Sequence, residues 1–219
     1  MNLQEVKTKI QSPNSRDRLL ALASLRHATP EEAAPLILQL IKDDNLQIRS
    51  MAVFALGIKP NPQSFPTLVN LLETEPDYGI RADAAGALGY LQDPRAFAPL
   101  LRAFYEDVEW LVRFSAAVSL GNLQDDRALE ALLSALKSPE TLLHQAAIAA
   151  LGEIGNINAI EPILPFIQSP DWLTRQRVAE ALGNLPSPKS TSALKYLSKD
   201  AHPQVALAAN LSLQKQPKS

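Results

Sequence analysis

Apolar residues recur along the chain in one pattern that repeats roughly every 31 residues. In each full copy an Arg is followed by small or apolar residues three and seven positions later and by Gly at the eighth, as in Arg81, Ala84, Leu88 and Gly89. Apolar residues at this spacing lie on one face of a helix, so the phrase predicts a short amphipathic helix, which we call helix B. The five full copies begin at Arg49, Arg81, Arg113, His144 and Arg175.

A second apolar segment, helix A, precedes each helix B. The predicted A segments are 35–41, 65–72, 96–104, 128–136 and 159–167. Ser-Pro-Glu at 138–140 and Ser-Pro-Asp at 169–171 precede two of the B helices, and they predict a Ser N-cap with Pro and an acid in the first turn. The repeating unit is therefore two short antiparallel helices joined by tight turns.

Weaker copies flank the five full ones. They begin at Arg18 and at Gln204, and both lack the Gly. Atypical end repeats are expected in a solenoid, because an end repeat packs against only one neighbour. The pattern thus predicts an all-α fold, an α-solenoid of about six to seven helical hairpins over residues 1–213. The polar residues 214–219 are expected to fray.

Composition and charge narrow the functional classes. The formal net charge is −2, which argues against a nucleic-acid binder. There is no cysteine, so disulfides, thiolate metal sites and a cysteine nucleophile on this chain are excluded. We see no secretory signal and no run of the ~18 apolar residues that a membrane span needs, and we expect a cytoplasmic protein.

Two stretches carry a family resemblance. Residues 80–101 read IRADAAGALGYLQDPRAFAPLL, and residues 112–133 read VRFSAAVSLGNLQDDRALEALL. They resemble the HEAT-like repeat of the phycobilisome lyases, and the resemblance extends from about residue 16 to residue 213. Within that family the chain is similar to the E/F-type bilin lyases and to the related cyanobacterial phycobilisome-degradation protein.

This resemblance implies a function and a set of partners. The family acts on the thioether that joins an open-chain tetrapyrrole to a cysteine of a phycobiliprotein. It implies a phycocyanobilin-type ligand, no required cofactor, phycobiliprotein subunits as partners, and either a second HEAT-like chain or a proteolysis adaptor. We expect chromophore detachment or phycobilisome degradation, achieved by positioning rather than covalent catalysis. The alternative is a non-enzymatic adaptor that binds a helix or peptide in the concave groove.

Two other HEAT-like enzyme classes fit poorly. Deoxyhypusine hydroxylase holds iron with His-Glu pairs, but His27, His144 and His202 are followed by Ala, Gln and Pro. We therefore expect no metal site. The HEAT-like DNA glycosylases bind duplex in a basic groove, which a net charge of −2 does not favour.

Arginines form the first set of candidate binding residues. Arg81, Arg113 and Arg175 occupy one position of helix B, with an acid four residues earlier, such as Asp77 or Asp171. In a structural interpretation, such acids and arginines bridge adjacent repeats. In a functional one, the arginines bind carboxylates such as the propionates of a bilin.

Aromatic residues form the second set. Tyr78, Trp110 and Trp172 are equivalent, each three residues before the anchor of its helix B. They are candidates for stacking on a flat ligand or anchoring a partner, or they cover gaps between repeats. Two weaker candidates are catalytic: Asp107, as a general acid or a helix cap, and His144, as a proton donor or a substitute for Arg.

Overall fold

The computed structural model describes residues 2–216, and within them the chain is all-α. It forms seven helical hairpins without strands, so the predicted α-solenoid is confirmed. The fourteen α-helices, taken in consecutive pairs, are α1 Leu3–Ile10, α2 Ser15–Ser24, α3 Pro30–Leu40, α4 Leu46–Ile58, α5 Ser64–Thr74, α6 Tyr78–Leu91, α7 Phe97–Glu106, α8 Trp110–Asn122, α9 Leu129–Ala135, α10 Thr141–Ile154, α11 Ile160–Ile163, α12 Trp172–Gly183, α13 Pro188–Leu197 and α14 Pro203–Lys215. Even-numbered helices are the B helices.

The chain divides into two compact units, Met1–Ala116 and Ala117–Ser219. Each unit has a core built from the predicted helix faces. The Leu at the seventh position after the anchor is completely buried in every full copy: Leu56, Leu88, Leu120, Leu151 and Leu182. The hydrophobic pattern thus identified the core positions of the B helices.

Small residues bring successive B helices of each unit into close contact. A Cβ atom built on Gly57 would lie 2.8 Å from the Cα of Ala87, and one built on Gly152 would lie 2.6 Å from the Cα of Ala181. Such distances leave no room for a methyl group. The repeated Gly therefore allows the helices to approach closely, which offsets its low helix propensity.

The predicted start of two B helices, α10 and α12, is wrong by two residues. Asp171, not Ser169, is the N-cap of α12, and its carboxylate accepts a hydrogen bond from the backbone N–H of Thr174 at 2.8 Å. The Ser169 hydroxyl instead accepts from the N–H of Asp171 at 3.3 Å, and the Ser138 hydroxyl accepts from the N–H of Glu140, the N-cap of α10, at 3.1 Å. Each Ser closes a short turn, so helical geometry begins only after the acid.

The fifth helix A is interrupted. Its α-helical part, α11, covers only Ile160–Ile163, and Leu164–Gln168 continue as a 3-10 helix. Pro165 has no N–H to donate, and its ring opposes the carbonyl four residues earlier, which ends the α-helical turn.

The last repeat has a different register from the predicted one. We placed its anchor at Gln204, which predicts burial of Leu207 and Leu211, but those side chains are 55% and 50% exposed. Val205 and Ala209 are buried instead. Gly183 lies against Ser212 as Gly152 lies against Ala181, so the equivalent anchor position is 206.

At the C-terminus, α14 continues to Lys215, two residues beyond the predicted solenoid boundary. Residues 217–219 of the predicted tail lie outside the described residues. Within residues 2–216, no helix has the length and apolar character needed to cross a membrane.

Candidate functional site

An apolar cleft of about 510 Å³ opens beside α4 in the unit Met1–Ala116. Its lining comes from α2 and the turn after it, from α3, from α4 and from α6. Leu25 and Ile37 are buried in its floor, and three half-exposed apolar side chains of α4 form its wall: Met51, Phe54 and Ile58. The volume and lining are typical of small-molecule sites.

The wall of the cleft is a second apolar stripe on α4. Met51, Phe54 and Ile58 follow at spacings of three and four, on a different face from the buried Ala52 and Leu56. A helix that is apolar on nearly all sides is normally buried on all of those sides. Here the second stripe is left open, and the Phe54 ring packs edge-on against Tyr90 of α6, with 5.3 Å between centroids and 88° between planes. The two rings form an exposed aromatic pair.

Charged groups occur at a few points of this cleft. Lys59 lies at its edge and donates to the carbonyl oxygen of Ala28 at 2.8 Å. Arg26 donates from Nε to His27 at 2.8 Å, and its two terminal nitrogens have no partner within residues 2–216. They remain able to bind a carboxylate as a pair of donors.

Asp83 is the one acid among the described lining residues. Burial among apolar neighbours raises the pKa of its carboxyl, and nearby Asp77 raises it further, against a hydrogen bond from Ser50 that lowers it. A carboxyl with a raised pKa in a cleft is typical of functional sites.

Elsewhere, arginines of the B helices join neighbouring repeats. Arg81 donates from Nε and Nη2 to the two carboxylate oxygens of Asp107, at 2.8 and 3.0 Å. Arg175 forms the same pair with Asp200 at 2.7 and 2.9 Å. In addition, the Arg81 Nη1 donates to the carbonyl oxygen of Glu75, in the turn before its own helix, at 3.0 Å. Each such Arg therefore bonds to two successive A–B turns.

The acid of these pairs is not the one we expected. Asp107 lies six residues before Arg113, whereas we expected the bridging acid four residues before an anchor. The acids at that earlier position, Asp77 and Asp171, cap the helices: Asp77 accepts from the N–H of Ile80 at 3.1 Å. The position six residues before the anchor is Ser or Asp in six of the seven repeats: Ser12, Asp43, Asp107, Ser138, Ser169 and Asp200, with Glu75 in the seventh.

The three aromatic candidates each begin a B helix. Tyr78 and Trp110 are the first residues of α6 and α8, and they are 50% and 46% exposed. Trp110 also makes an edge contact with Phe114 at 6.5 Å. Trp172 instead stacks on the His202 ring, with centroids 4.1 Å apart and planes at 10°. One face of Trp172 is thus covered by the chain itself.

The sequence matches the family model of HEAT repeats over residues 4–89, 65–147 and 130–214. The chain belongs to the HEAT-repeat family. No curated protein matches it.

One solved structure relates this HEAT-repeat protein to a phycocyanin lyase. It is similar to the complex of CpcE and CpcF of phycocyanin lyase from Nostoc sp. PCC7120, with 27% identity and a TM-score of 0.66 over 84% of this chain and 75% of that chain. The predicted resemblance to the phycobilisome lyase HEAT-like family is therefore confirmed.

Two further structures show the fold alone. The Escherichia coli protein YibA is 18% identical, with a TM-score of 0.60 over 98% of this chain and 93% of that chain. A designed armadillo repeat protein in complex with the peptide (KR)4 is also 18% identical, with a TM-score of 0.51 over 98% of this chain and 99% of that chain.

In this HEAT-repeat protein, the predicted arginine sites face the chain's own acceptors. Arg81 and Arg175 are saturated by the pairs described above, and Arg113 donates from Nη1 to the carbonyl oxygens of Asp107 and Val108, both at 3.1 Å. The contacts favour the structural interpretation for these arginines. A ligand-binding role for them stays a prediction, as it does for Tyr78, Trp110 and Trp172.

The two catalytic candidates take part in the same hydrogen bonds between the B helices and the A–B turns. Burial raises the pKa of Asp107, but hydrogen bonds from Arg81 and from the N–H of Glu109 outweigh it and hold that pKa below its ordinary value. A carboxylate that stays ionised is a poor general acid, so the contacts favour another role for Asp107. His144 places Nε2 against the carbonyl oxygen of Ser138, which is the contact that Arg Nη1 makes in other repeats, and its ring packs on Phe166.

Sequence reasoning missed the cleft because it followed only the repeated positions. Met51, Phe54 and Ile58 are specific to α4, and Tyr90 is specific to α6. The available signal was the absence of a polar face in α4, which reads LQIRSMAVFALGI. No group of three or more His, Asp or Glu side chains in the described part of the chain is arranged to hold a metal ion.

Proposed function

We propose that this HEAT-repeat protein binds and handles the phycobilin chromophores of phycobiliproteins, and that it acts in chromophore detachment during phycobilisome degradation. The observation that carries the proposal is the likeness to the CpcE–CpcF phycocyanin lyase, at 27% identity over most of the chain. The proposed direction of the reaction is detachment rather than attachment.

The cleft beside α4 supports the proposal by its chemistry. An open-chain tetrapyrrole is a flat conjugated molecule with two propionates. The Phe54–Tyr90 pair offers an aromatic surface for the rings, and the terminal nitrogens of Arg26 suit a propionate. The apolar floor at Leu25 and Ile37 would exclude water from one side of the chromophore.

The proposed mechanism is positioning rather than covalent catalysis. The chain has no cysteine, and the reacting thioether belongs to the phycobiliprotein. Detachment by elimination breaks the bond between the bilin carbon and the cysteine sulfur, forms a C=C bond as the neighbouring bilin carbon loses a proton, and releases the sulfur as a thiol. Holding the bilin in a fixed geometry relative to that cysteine favours this step by orientation. The expected partners are phycobiliprotein subunits, together with a second HEAT-like chain or a proteolysis adaptor.

A direct test mixes the purified protein with phycocyanobilin and, separately, with chromophorylated phycocyanin. We expect a shifted bilin absorbance band, a complex on size exclusion, and bilin that becomes extractable from phycocyanin. Unchanged absorbance and fluorescence with no complex would contradict the proposal. If the protein instead attaches added bilin to phycocyanin that lacks its chromophore, and releases none, only the proposed direction of the reaction is contradicted.

The adaptor alternative rests on different residues. Leu207 and Leu211 of α14 lie beside a polar groove in the unit Ala117–Ser219 and are half exposed, which suits an amphipathic partner. If the protein binds no bilin, and if Leu207→Ser removes the binding of a purified protein partner that carries no bilin, the adaptor function is favoured.

A further inference from the structure

Asp83 is an unusual feature of the α4 cleft. It lies on α6, in the first full turns after Asp77, and it contributes the acid to a lining that is otherwise apolar, hydroxylic or basic. Ser50 of α4 lines the same cleft. The carboxyl therefore faces a lining whose other polar groups are one hydroxyl and two bases.

No cation neutralises this carboxyl. Within residues 2–216 no Lys, Arg or His nitrogen lies within 4.0 Å of Asp83. Of the two bases that line the same cleft, Lys59 donates to the carbonyl oxygen of Ala28, and Arg26 donates from Nε to His27 and forms no ion pair with Asp83. Asp77 adds a like charge from the start of the same helix. A half-buried carboxyl without a charged partner is costly, and its position is best explained by a donor that a ligand brings.

We propose that Asp83 accepts hydrogen bonds from the pyrrole N–H groups of an open-chain tetrapyrrole bound in this cleft. The inference rests on the proposed function, and it assigns the polar contact of the same site. Pyrrole N–H groups point to the inner edge of such a ligand, away from the ring faces that the Phe54–Tyr90 pair would cover. One carboxylate can accept from two adjacent N–H groups because each oxygen has two lone pairs.

This contact has a spectroscopic consequence that a purely structural role would lack. A carboxylate beside the bilin nitrogens stabilises their protonated form, and it therefore raises the pH at which the bound bilin loses its extra proton. The absorbance spectrum of the bilin reports that proton directly. An opposite charge at hydrogen-bonding distance typically moves such a midpoint by about 1 to 3 pH units.

The experiment titrates phycocyanobilin bound to the wild-type protein, to Asp83→Asn and to the control Glu106→Gln, an exposed acid on α7. We expect Asp83→Asn to weaken binding about tenfold, as for a lost charge-assisted hydrogen bond, and to lower the bilin midpoint by at least about 1 pH unit. Glu106→Gln should match the wild type. Asp83→Leu, which removes a half-buried unpaired carboxyl and should fold at least as well, gives a second measurement of the same midpoint shift.

The outcomes separate the two proposals. If the wild type binds no bilin, both the proposed function and this inference fail. If the wild type binds bilin, and both Asp83 variants bind it with the same affinity and the same midpoint, the inference about Asp83 is overturned while the proposed function stands.

Discussion

Arg81 and Asp107 bridge two repeats across 26 positions of the chain, through two parallel hydrogen bonds of 2.8 and 3.0 Å. Both side chains are largely buried, at 15% and 11% exposure. Asp107 also accepts from the N–H of Glu109 at 2.9 Å, so one carboxylate orders a turn and joins two helix pairs. Arg81, a candidate ligand-binding residue, and Asp107, a candidate general acid, thus bond to each other between neighbouring repeats.

Removing the charge of Asp107 should destabilise the protein. We expect Asp107→Asn to lower the free energy of unfolding by about 2 kcal/mol, because the variant leaves a mostly buried guanidinium with a weaker partner. Urea unfolding followed by circular dichroism measures this. The matched control is Glu161→Gln, whose partner Lys189 is exposed, and a change below about 1 kcal/mol is expected there. Equal effects for the two variants would contradict the assignment.

Acid should weaken the fold through the same carboxylates. Hydrogen bonds from Arg18 and from Arg175 hold the pKa values of Asp43 and Asp200 below the ordinary value, as the bonds to Asp107 do. A carboxyl with a lowered folded pKa contributes stability above its unfolded pKa of about 3.9, and this contribution is lost as the pH falls through the folded value. Urea midpoints measured from pH 7 downwards should therefore drop below about pH 4.

The Asp107→Asn variant supplies the control for this pH dependence. Since it lacks one of the lowered carboxyls, its stability should fall less than that of the wild type over the same acid range. Asp83 has the opposite effect on the pH dependence of stability. Because its pKa is raised in the folded state, its contribution favours folding at low pH and is lost as the pH rises through that folded-state pKa. Parallel pH profiles for Asp107→Asn and the wild type would contradict the prediction.

A gap in the arginine series offers a gain of stability. Arg49 donates from Nη1 to the carbonyl oxygen of Asp43 at 2.8 Å, but within residues 2–216 its Nε and Nη2 have no acceptor. The equivalent of Asp107 beside it is Glu75. We expect Glu75→Asp to stabilise the protein by about 1 kcal/mol, because the shorter carboxylate can close the turn and accept from Arg49, as Asp107 does for Arg81.

A double-mutant cycle tests the cause of that gain. In an Arg49→Met background, Glu75→Asp should give no stabilisation, since the carboxylate then has no guanidinium to bind. An equal gain in both backgrounds would show that the turn alone, and not the pair with Arg49, is responsible.

The sequence predicted the fold well because the fold is a periodic property. Burial of Leu56 and Leu88 and the contact of Gly57 with Ala87 follow from a spacing that every repeat shares. The acid that pairs with the Arg of the neighbouring repeat was misplaced by two residues. Asp77 and Asp107 are both acids near the start of a helix, and the sequence alone does not show that the first caps its helix while the second pairs with an Arg. The last repeat was misplaced because exposed Leu207 mimics a core position.

The candidate site was hidden for the opposite reason. Phe54 and Tyr90 belong to different repeats, and neither position is aromatic in the other copies, so a search for recurring residues passes over them. Their meeting depends on the packing of α4 against α6, which a single-sequence pattern does not specify.

Two aromatic surfaces can be compared directly by substitution. If the cleft beside α4 holds the bilin, Phe54→Ala should weaken phycocyanobilin binding about tenfold, because a stacking surface and apolar contact are lost. Trp110→Ala, at the exposed start of α8, should leave the affinity within about twofold. Bilin absorbance titrations measure both. The reverse order of effects would assign the ligand to the aromatic positions predicted from the sequence.

The close approach of α10 and α12 gives a prediction for packing. At Gly152 a Cβ would lie 2.6 Å from the Cα and 2.8 Å from the Cβ of Ala181, and backbone atoms cannot yield as a flexible side chain does. We expect Gly152→Ala to cost about 1 to 3 kcal/mol, despite the better helix propensity of Ala, because the helices must separate. Gly86→Ala, within α6, is the matched control: its Cβ meets no atom within 4 Å, so it should stabilise the protein by up to about 1 kcal/mol. Urea midpoints that move in the same direction for both variants would show that helix propensity, and not the contact with Ala181, determines the effect.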